Sequence, residues 1–381
     1  MKILSIEPTP SPNTMKISLD TELPAGQKSH YTIESAQTAP VVIQNILKID
    51  GVKSVYHVAD FLAIDRKPTA DWKVILLKVR EIFGEDVTST DDEEMKIESN
   101  FGEVQVFVQM YQDIPMQLKL VTNGEDRRAA LPPYFKGAVM ELSTAAKNVV
   151  LDRQWIDYGI RYGEYQSIEK EVVDELTAIH PEEKIKETVS QLINQSSDQP
   201  FQLQETKNVY EKLTEDLFKE EDWKKRYARF VKVNPTIEDL PLLEKALNDS
   251  NVSIRRLATA YLGMLKSDNV LPLLLKALKD PAVGVRRIAG DCLSDLGLVE
   301  AMPAMIEALK DSNKLVRWRA AMFLFEVGDE TAIPALNEAF NEEAEFEVKM
   351  QMQLALQRIE NGEEALGSVW KQMTEQFKKE Q

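Results

Sequence analysis

The sequence contains very few of the residues from which metal, cluster and disulfide sites are built. It has one cysteine, Cys292, and three histidines, His30, His57 and His180, among 381 residues. A single thiol excludes an intramolecular disulfide and any cluster or zinc motif that takes several thiolates from one chain. The glycines are isolated and form neither a phosphate loop nor a dinucleotide fingerprint. We therefore expect no metal, no cofactor and no catalytic residues, and we expect that the protein is not an enzyme.

Long apolar runs and positive charge are also scarce. No stretch approaches the roughly 18 apolar residues of a membrane span, and the N-terminal apolar stretch is too short for a signal peptide. The chain has 46 Lys and Arg against 63 Asp and Glu, a formal net charge of −17. Such a surface repels phosphate backbones and anionic membranes. We expect a cytoplasmic protein with protein partners, no membrane contact, and no general affinity for nucleic acid.

The pattern along the chain predicts a multidomain α+β protein that ends in an all-α region. Residues 1–87 predict a small α+β domain, since MKISLD and GVKSVYHVADFLAIDRK alternate like strands while APVVIQNILKI and DWKVILLKVREIFG have helical spacing. The acidic stretch Thr88–Glu94 predicts a linker. Residues 100–198 predict a middle α+β domain, with strands in EVQVFVQM and IPMQLKLV and a helix in YFKGAVMELSTAAKN. The sequence pattern of residues 205–372 predicts helical repeats.

The middle domain contains two groups whose function is ambiguous. Its aromatic side chains are spaced by three, four and three residues, which would gather them on one side of a helix, although two glycines also allow a strand or loop. We favour a packing role against the helix at 167–179 over a ligand platform. These side chains are Trp155, Tyr158, Tyr162 and Tyr165. We interpret a second, acidic group as a solvated helix face rather than an acid–base pair: Glu169, Glu171, Asp174 and Glu175.

The strongest signal is a repeat near the C-terminus. Four similar stretches, LPLLEKALND, LPLLLKALKD, MPAMIEALKD and IPALNEAFNE, begin 31 residues apart at Leu240, Leu271, Met302 and Ile333. Each has proline at its second position, which the first turn of a helix tolerates. Each unit contains two amphipathic helices that cannot bury their apolar sides alone, so the units should stack as a HEAT-like α-solenoid. A degenerate unit precedes the first, around EEDWKKRYARFVKVN. The register places Cys292 where its neighbours have Tyr261 and Phe323, which predicts a buried, inert thiol.

Charged residues recur in the same register. An aspartate precedes an arginine by six residues in three units, and we interpret these as a structural ladder in which each carboxylate caps a helix and pairs with arginines. Its members are Asp249, Arg255, Asp280, Arg286, Asp311 and Arg317. A second column consists of Arg256, Arg287 and Trp318, with Arg319 beside it. These interaction candidates either hold an acidic peptide or phosphate on the concave side, or only solubilise the surface.

Several stretches of the first segment form a distinctive set: TPSPNTMK at Thr9–Lys16, the pair Ala39–Pro40, ILKIDGVKSV at Ile46–Val55, DFLAI at Asp60–Ile64, and Trp72. Together they resemble the N-terminal domain of Nfu iron–sulfur scaffold proteins. In that family a CxxC motif in a separate domain binds the cluster, and this chain has no CxxC. The resemblance therefore implies recognition of iron–sulfur assembly components rather than cluster binding.

The three segments in this order resemble the conserved virulence factor C family of low-GC Gram-positive bacteria, over essentially the whole chain. That resemblance implies a cytosolic accessory protein linked to virulence-factor expression. Our leading hypothesis is a non-enzymatic adaptor that binds protein partners through its solenoid. The alternative is a HEAT-like nucleic-acid-processing enzyme of the DNA glycosylase type, which would use Trp223, Trp318 and the arginine column. A third hypothesis, transient carriage of iron or a cluster between subunits, would require an exposed Cys292.

Overall fold

The structure is a computed structural model that describes residues 2–9, 13–21, 28–58, 60–67, 70, 72–84, 103–111, 113–122, 125–144, 153–194 and 210–365. The chain forms two compact units. Unit 1 comprises Met1–Phe101 together with Met305–Gln381, and unit 2 comprises Gly102–Ala304. The linker predicted at Thr88–Glu94 and the domain boundaries at 87, 100, 198, 205 and 372 lie outside the described residues, so those boundaries stay predictions.

Unit 1 begins with a five-stranded antiparallel sheet. Its strands are β1 (Ile3–Pro8), β2 (Thr14–Leu19), β3 (Lys28–Thr32), β4 (Val52–Val58) and β5 (Phe61–Arg66), in the order β1-β2-β5-β4-β3. The alternation expected from the sequence is present, because every second residue of β2 and β5 is buried. Helices α1 (Val41–Leu47) and α2 (Trp72–Ile82) contribute to the same core. The small α+β domain is therefore confirmed.

The last repeat helix of unit 1 packs against this N-terminal domain. Phe346 and Met350 contact the core that contains Trp72, and Arg66 forms a salt bridge of 3.0 Å with Glu347. The Arg66 side chain is only 3% exposed, and its guanidinium carbon lies 5.3 Å from the centre of the Trp72 ring. The N-terminal domain thus covers the first turn of this last repeat helix.

Unit 2 begins with a four-stranded antiparallel sheet. Its strands are β6 (Glu103–Tyr111), β7 (Ile114–Thr122), β8 (Glu125–Ala129) and β9 (Gln154–Tyr162), in the order β8-β7-β6-β9. Helices α3 (Pro133–Thr144), α4 (Tyr165–Ile179) and α5 (Glu182–Asn194) supply the apolar residues that complete its cores. Because strand side chains alternate, this leaves the opposite side of the sheet to Phe107, Lys119 and Trp155, which are half-buried.

The aromatic stretch of the middle domain is a strand, not a helix. It forms most of β9, and a change of register against β6 occurs where Gly159 adopts a φ of +80°. Such a conformation favours glycine and is typical of a β-bulge. Tyr158 and Tyr165 pack against the core beneath α4, as the packing interpretation expected. Trp155, by contrast, lies on the other side of the sheet beside Lys119.

The repeats are pairs of helices. The first helices of the four units begin at the residues predicted from the period, and the register of 31 residues is confirmed. The pairs are α7 (Leu240–Ala246) with α8 (Val252–Met264), α9 (Leu271–Ala277) with α10 (Val283–Leu296), α11 (Met302–Ala308) with α12 (Lys314–Val327), and α13 (Ile333–Glu342) with α14 (Phe346–Glu360). Helix α6 (Trp223–Phe230) represents the degenerate unit. None of the helices in the described residues is both long and apolar enough to cross a membrane.

Candidate functional site

Unit 2 contains a cleft of about 580 Å³ at the C-terminal end of β9. Five elements line it: the end of β9, the first half of α4, the start of α6, and the first turns of α8 and α10. Apolar walls come from Ile160, Val283 and Ile288, and Trp223 lies at the start of α6. Apolar walls around a few convergent polar groups are typical of a binding site for a ligand or a peptide segment.

A buried ionic network forms one wall of the cleft. Arg256 donates to Glu171 at 3.0 Å and to Glu175 at 2.8 Å, and Arg161 reaches the second carboxylate oxygen of Glu175 at 3.3 Å. The Glu175 side chain is 1% exposed and that of Glu171 is 19% exposed. The interpretation of these glutamates as a solvated helix face is therefore wrong. The two carboxylates lie one helical turn apart and turn inward, because the arginines compensate their charge.

The environment separates the pKa values of these two glutamates. Burial raises the pKa of Glu175, but the charges of Arg256 and Arg161 outweigh burial and lower it to about 2. Burial also raises the pKa of Glu171. The charge of Arg256 offsets burial only in part, and the repulsion by Glu175 helps to keep the pKa above its ordinary value. Of the two, Glu171 lines the cleft, and a perturbed carboxyl group in a cleft marks a candidate binding site. Asp174 pairs with Lys224 at 3.3 Å, and both are partly exposed.

The second residue of the predicted column is also internal. Arg287 is 1% exposed, forms an ion pair with Asp291 one turn later, and lies 4.7 Å above the ring of Tyr162. The hydroxyl group of Tyr162 is 3.5 Å from the carboxylate of Asp291. Arg256 and Arg287 thus bind residues of the middle domain and of their own helix. They do not form the open basic strip that was one expectation, because the middle domain packs over them.

The residues at the equivalent position in unit 1 are buried as well. Trp318 is 1% exposed within α12, and Arg319 is 2% exposed and pairs with Glu326 at 3.2 Å. Neither side chain is on an open surface of its unit. The role of all four residues as interaction candidates accordingly stays a prediction, and the geometry assigns each of them an internal contact.

The aspartates and arginines between the repeat helices form regular contacts in unit 2. Arg255 binds the Asp280 carboxylate through two hydrogen bonds of 2.7 and 3.1 Å, and Arg226 binds Asp249 in the same way at 2.6 and 2.9 Å. The spacing of six residues corresponds to a different contact. Arg255 and Arg286 donate to the backbone carbonyl groups of Asp249 and Asp280, the aspartates six residues before them. Each aspartate also accepts a bond from the backbone N–H two residues later.

The same geometry recurs in unit 1 with a different acid. Arg317 donates to the backbone carbonyl of Asp311 at 3.0 Å and binds the Glu343 carboxylate at 2.7 and 2.9 Å. Sequence reasoning missed Arg226 and Glu343 as members of this set. Arg226 is two residues beyond Lys224, which the register aligns with Arg255, and Glu343 is a glutamate one position beyond the expected acid. The period of 31 residues does not align Arg226 or Glu343 with the other members of the set, so only the structure reveals their contacts.

Cys292 is buried between two helices of unit 2, at 8% exposure, with its Sγ 3.7 Å from the carbonyl oxygen of Thr259. Among the described residues, no group of three or more His, Cys, Asp or Glu side chains is arranged to hold a metal ion. The cleft of unit 2, with its apolar walls and buried ionic network, is the candidate functional site.

Comparisons with known families match all three segments. The family described as scaffold protein Nfu/NifU N terminal matches residues 3–90, the virulence factor family matches residues 109–189, and HEAT repeats match residues 211–294, 240–311 and 271–357. A crystal structure of protein SAV1430 from Staphylococcus aureus is 42% identical over 22% of this chain and 99% of its own, with a TM-score of 0.21. The fold and the family matches define a HEAT-repeat protein with an Nfu N-terminal-type domain.

Full-length relatives identify the family more narrowly. The uncharacterized protein YpgR of Bacillus subtilis strain 168 is 57% identical over 379 residues, which cover 100% of both chains. Conserved virulence factor C of Staphylococcus aureus strain NCTC 8325 / PS 47 is 48% identical over 98% of this chain and 99% of its own. The protein of the same name from Staphylococcus haemolyticus is 45% identical over 99% of this chain. The chain therefore belongs to the conserved virulence factor C family.

Proposed function

We propose that this protein is a non-enzymatic cytoplasmic adaptor whose repeats hold one protein client and whose N-terminal domain binds another, a component of iron–sulfur assembly. The observation that carries the proposal is the cleft of unit 2, where the strand β9, the middle-domain helix α4 and the starts of two repeat helices meet. HEAT repeats are protein-binding scaffolds whose neighbouring units build extended binding surfaces. A segment of the client would occupy the cleft, with its apolar side chains against Ile160 and Ile288.

Two isoleucines on β9 provide a matched test of the cleft. Ile160 lines it and is 43% exposed, whereas Ile156 is 44% exposed on the same strand and does not line it. A photo-crosslinking amino acid at position 160 of the full chain should capture a protein client in bacterial cytosol, and the same amino acid at position 156 should not. Equal cross-linking at the two positions, or none at either, would refute the assignment of the cleft.

The proposed role of the N-terminal domain is based on its match to the Nfu N-terminal family. Val74 and Leu77 lie on successive turns of α2 and are 45% and 36% exposed, so they are available for a partner. Aspartate at both positions should remove iron–sulfur assembly proteins from those captured by the full chain. Aspartate at Met140 and Ile193, exposed apolar residues of the middle domain, is the control. Retention of the same partners by the Val74/Leu77 variant would argue against this role.

The relatives named conserved virulence factors motivate a further part of the proposal, that the adaptor supports virulence-factor expression. The alternative, a HEAT-like DNA-processing enzyme, needs Arg256, Arg287 and Trp318 to reach a phosphate backbone. Their burial and their internal ion pairs favour the adaptor. The alternative predicts salt-sensitive DNA binding that is lost in Arg256→Glu/Arg287→Glu, which a mobility-shift titration measures.

A further inference from the structure

The four-stranded sheet of unit 2 has one side with an unusual composition. Neighbouring positions on β8, β7, β6 and β9 form a row across this side, which runs Arg128, Lys119, Phe107 and Asp157. Trp155 lies two residues before Asp157 on β9, on the same side of the sheet and opposite Gln109. The other side of the sheet is the one that packs against α4. The row therefore belongs to a separate surface, here called the outer sheet surface, defined by Phe107, Lys119, Arg128 and Trp155.

The aromatic rings of this surface hold its cations. The ammonium nitrogen of Lys119 is 4.5 Å from the centre of the Phe107 ring and 4.9 Å from that of Trp155. The guanidinium carbon of Arg128 is 5.8 Å from the Trp155 ring, and Arg128 also donates to Gln117 at 3.4 Å. Cation–π contacts of this kind stabilise a charge without neutralising it. They fix both cations in position and reduce the side-chain entropy that an ionic contact would cost.

These two cations differ from the arginines of the repeats. Arg255, Arg256 and Arg287 each have a carboxylate partner within their own unit. For Lys119 and Arg128 no carboxylate lies within ion-pair distance anywhere in the part of the chain that the structure describes. Asp157, the nearest acid in the row, accepts bonds from Gln105 and from the backbone N–H of Gly159 instead. In a protein with a net charge of −17, two positioned cations without a carboxylate partner are a site for an anionic partner.

We propose that the outer sheet surface binds an acidic segment of a protein partner. Carboxylates of the segment would accept hydrogen bonds from Lys119 and Arg128, and its apolar side chains would contact the exposed edges of Phe107 and Trp155. Single-stranded nucleic acid is the competing occupant, because bases stack on aromatic rings of four-stranded sheets. The ring faces here are already covered by the cations, which leaves bases no face to stack on, so the carboxylate partner is favoured. The inference rests on the proposed adaptor function and names a class of partner for it.

The test uses the full chain and two labelled probes, a polyglutamate peptide and an oligothymidylate, in fluorescence anisotropy titrations at low and moderate salt. The expected result is salt-sensitive binding of polyglutamate that weakens about tenfold or more in Lys119→Glu/Arg128→Glu. The control is Lys136→Glu/Lys186→Glu, with the same charge change on exposed residues of α3 and α5, and it should weaken binding far less. Lys119→Gln/Arg128→Gln gives the same answer if the charge reversal prevents folding, which circular dichroism detects.

Two outcomes would overturn the inference. One is polyglutamate binding that is absent in the wild type or unchanged in both Lys119/Arg128 variants. The other is tighter binding of oligothymidylate with loss of that binding in the same variants, which would assign the surface to nucleic acid. Either outcome is distinguishable from failure of the adaptor proposal, because cross-linking at position 160 reports on the cleft and does not depend on Lys119 or Arg128.

Discussion

Arg66 and Glu347 form a salt bridge across 281 residues of sequence, and Arg66 is almost completely buried beside Trp72. Arg66 also donates to the backbone carbonyl of Ala70 at 2.9 Å, so its guanidinium group connects the N-terminal domain to the last repeat helix. A buried arginine that loses its carboxylate costs more than the pair contributes, because the remaining charge is left without compensation.

Glu347→Ala should therefore lower the free energy of unfolding by about 2–4 kcal/mol. Chemical denaturation monitored by tryptophan fluorescence measures the change. Arg66→Met in the Glu347→Ala background should recover part of the loss, since it removes a buried charge that has lost the Glu347 carboxylate. The control is Lys310→Ala, which breaks a solvent-exposed pair with Glu338, and no measurable change is expected. A loss in Glu347→Ala as small as in this control would show that the salt bridge contributes little.

The ionic network of the cleft should make stability depend on pH in acid. The pKa of Glu175 is about 2 in the folded protein and 4.5 ordinarily. A lowered folded-state pKa gives a stabilisation that is complete above the ordinary value and is lost as the pH falls from about 4.5 toward 2. That loss is on the order of 3 kcal/mol. The free energy of unfolding of Glu175→Gln, measured across this range, should fall less steeply than that of the wild type.

Glu171 provides a control of opposite sign. Its pKa is raised, chiefly by burial, so ionisation of Glu171 opposes folding as the pH rises above its ordinary value. Glu171→Gln removes that opposing contribution. Above about pH 4.5, where Glu171 ionises, the stability of this variant should therefore exceed the wild-type curve increasingly as the pH rises through the raised pKa. Parallel pH profiles for the two variants would contradict the assignment of these pKa directions.

Gly263 is required by the position of Cys292. A Cβ added at Gly263 would lie 2.5 Å from the Sγ of Cys292 and 3.2 Å from its Cβ. Alanine normally stabilises a helix interior relative to glycine, but here the overlap between α8 and α10 should reverse the sign. We expect Gly263→Ala to destabilise the protein by about 1–3 kcal/mol in thermal denaturation. Cys292→Ala in the same chain should remove most of that cost, and purely additive effects would exclude a steric origin.

The burial of Cys292 also predicts its reactivity. The thiol is 8% exposed and lies between packed helices, and thiols react as exposed thiolates. In the native protein, Cys292 should react slowly with a thiol reagent such as dithiobis(nitrobenzoic acid). In denaturant it should react at the rate of a free thiol. Fast reaction of the native protein would reopen the hypothesis of iron or cluster carriage through Cys292.

The sequence predicted the local structure well where one period dominates. The starts of α7, α9, α11 and α13 follow from a repeat of 31 residues, and the strands β4 and β5 follow from alternation around Val58–Asp60. The stretch from Trp155 to Tyr162 was less clear, because its spacing fits a helix while its glycines fit a bulged strand. Pairing with β6 makes this stretch a strand. Pairing between distant segments leaves no period in the sequence from which it could be predicted.

The candidate site was harder to predict for the same reason. Arg256 was identified from its place in the repeat, but its partners Glu171 and Glu175 precede it by 85 and 81 residues. A row of acids on a helix is ordinarily solvated, and only the packing of α4 against the repeat region brings these two inward. The sequence therefore predicted Arg256 and Arg287 as part of a column and could not predict that the middle domain covers these two arginines.

The contact between the N-terminal domain and α14 has a consequence for biosynthesis. Ribosomes make residues 1–84 first, yet the surface that receives Phe346 and Met350 stays uncovered until the last repeat has emerged. Folding of unit 1 is thus delayed by the synthesis of all of unit 2. Bringing the two parts of unit 1 together also costs the loop-closure entropy of a very long insertion. Nascent chains truncated before residue 346 should therefore expose the apolar surface on which Phe346 and Met350 pack, where ribosome-associated chaperones can bind during translation.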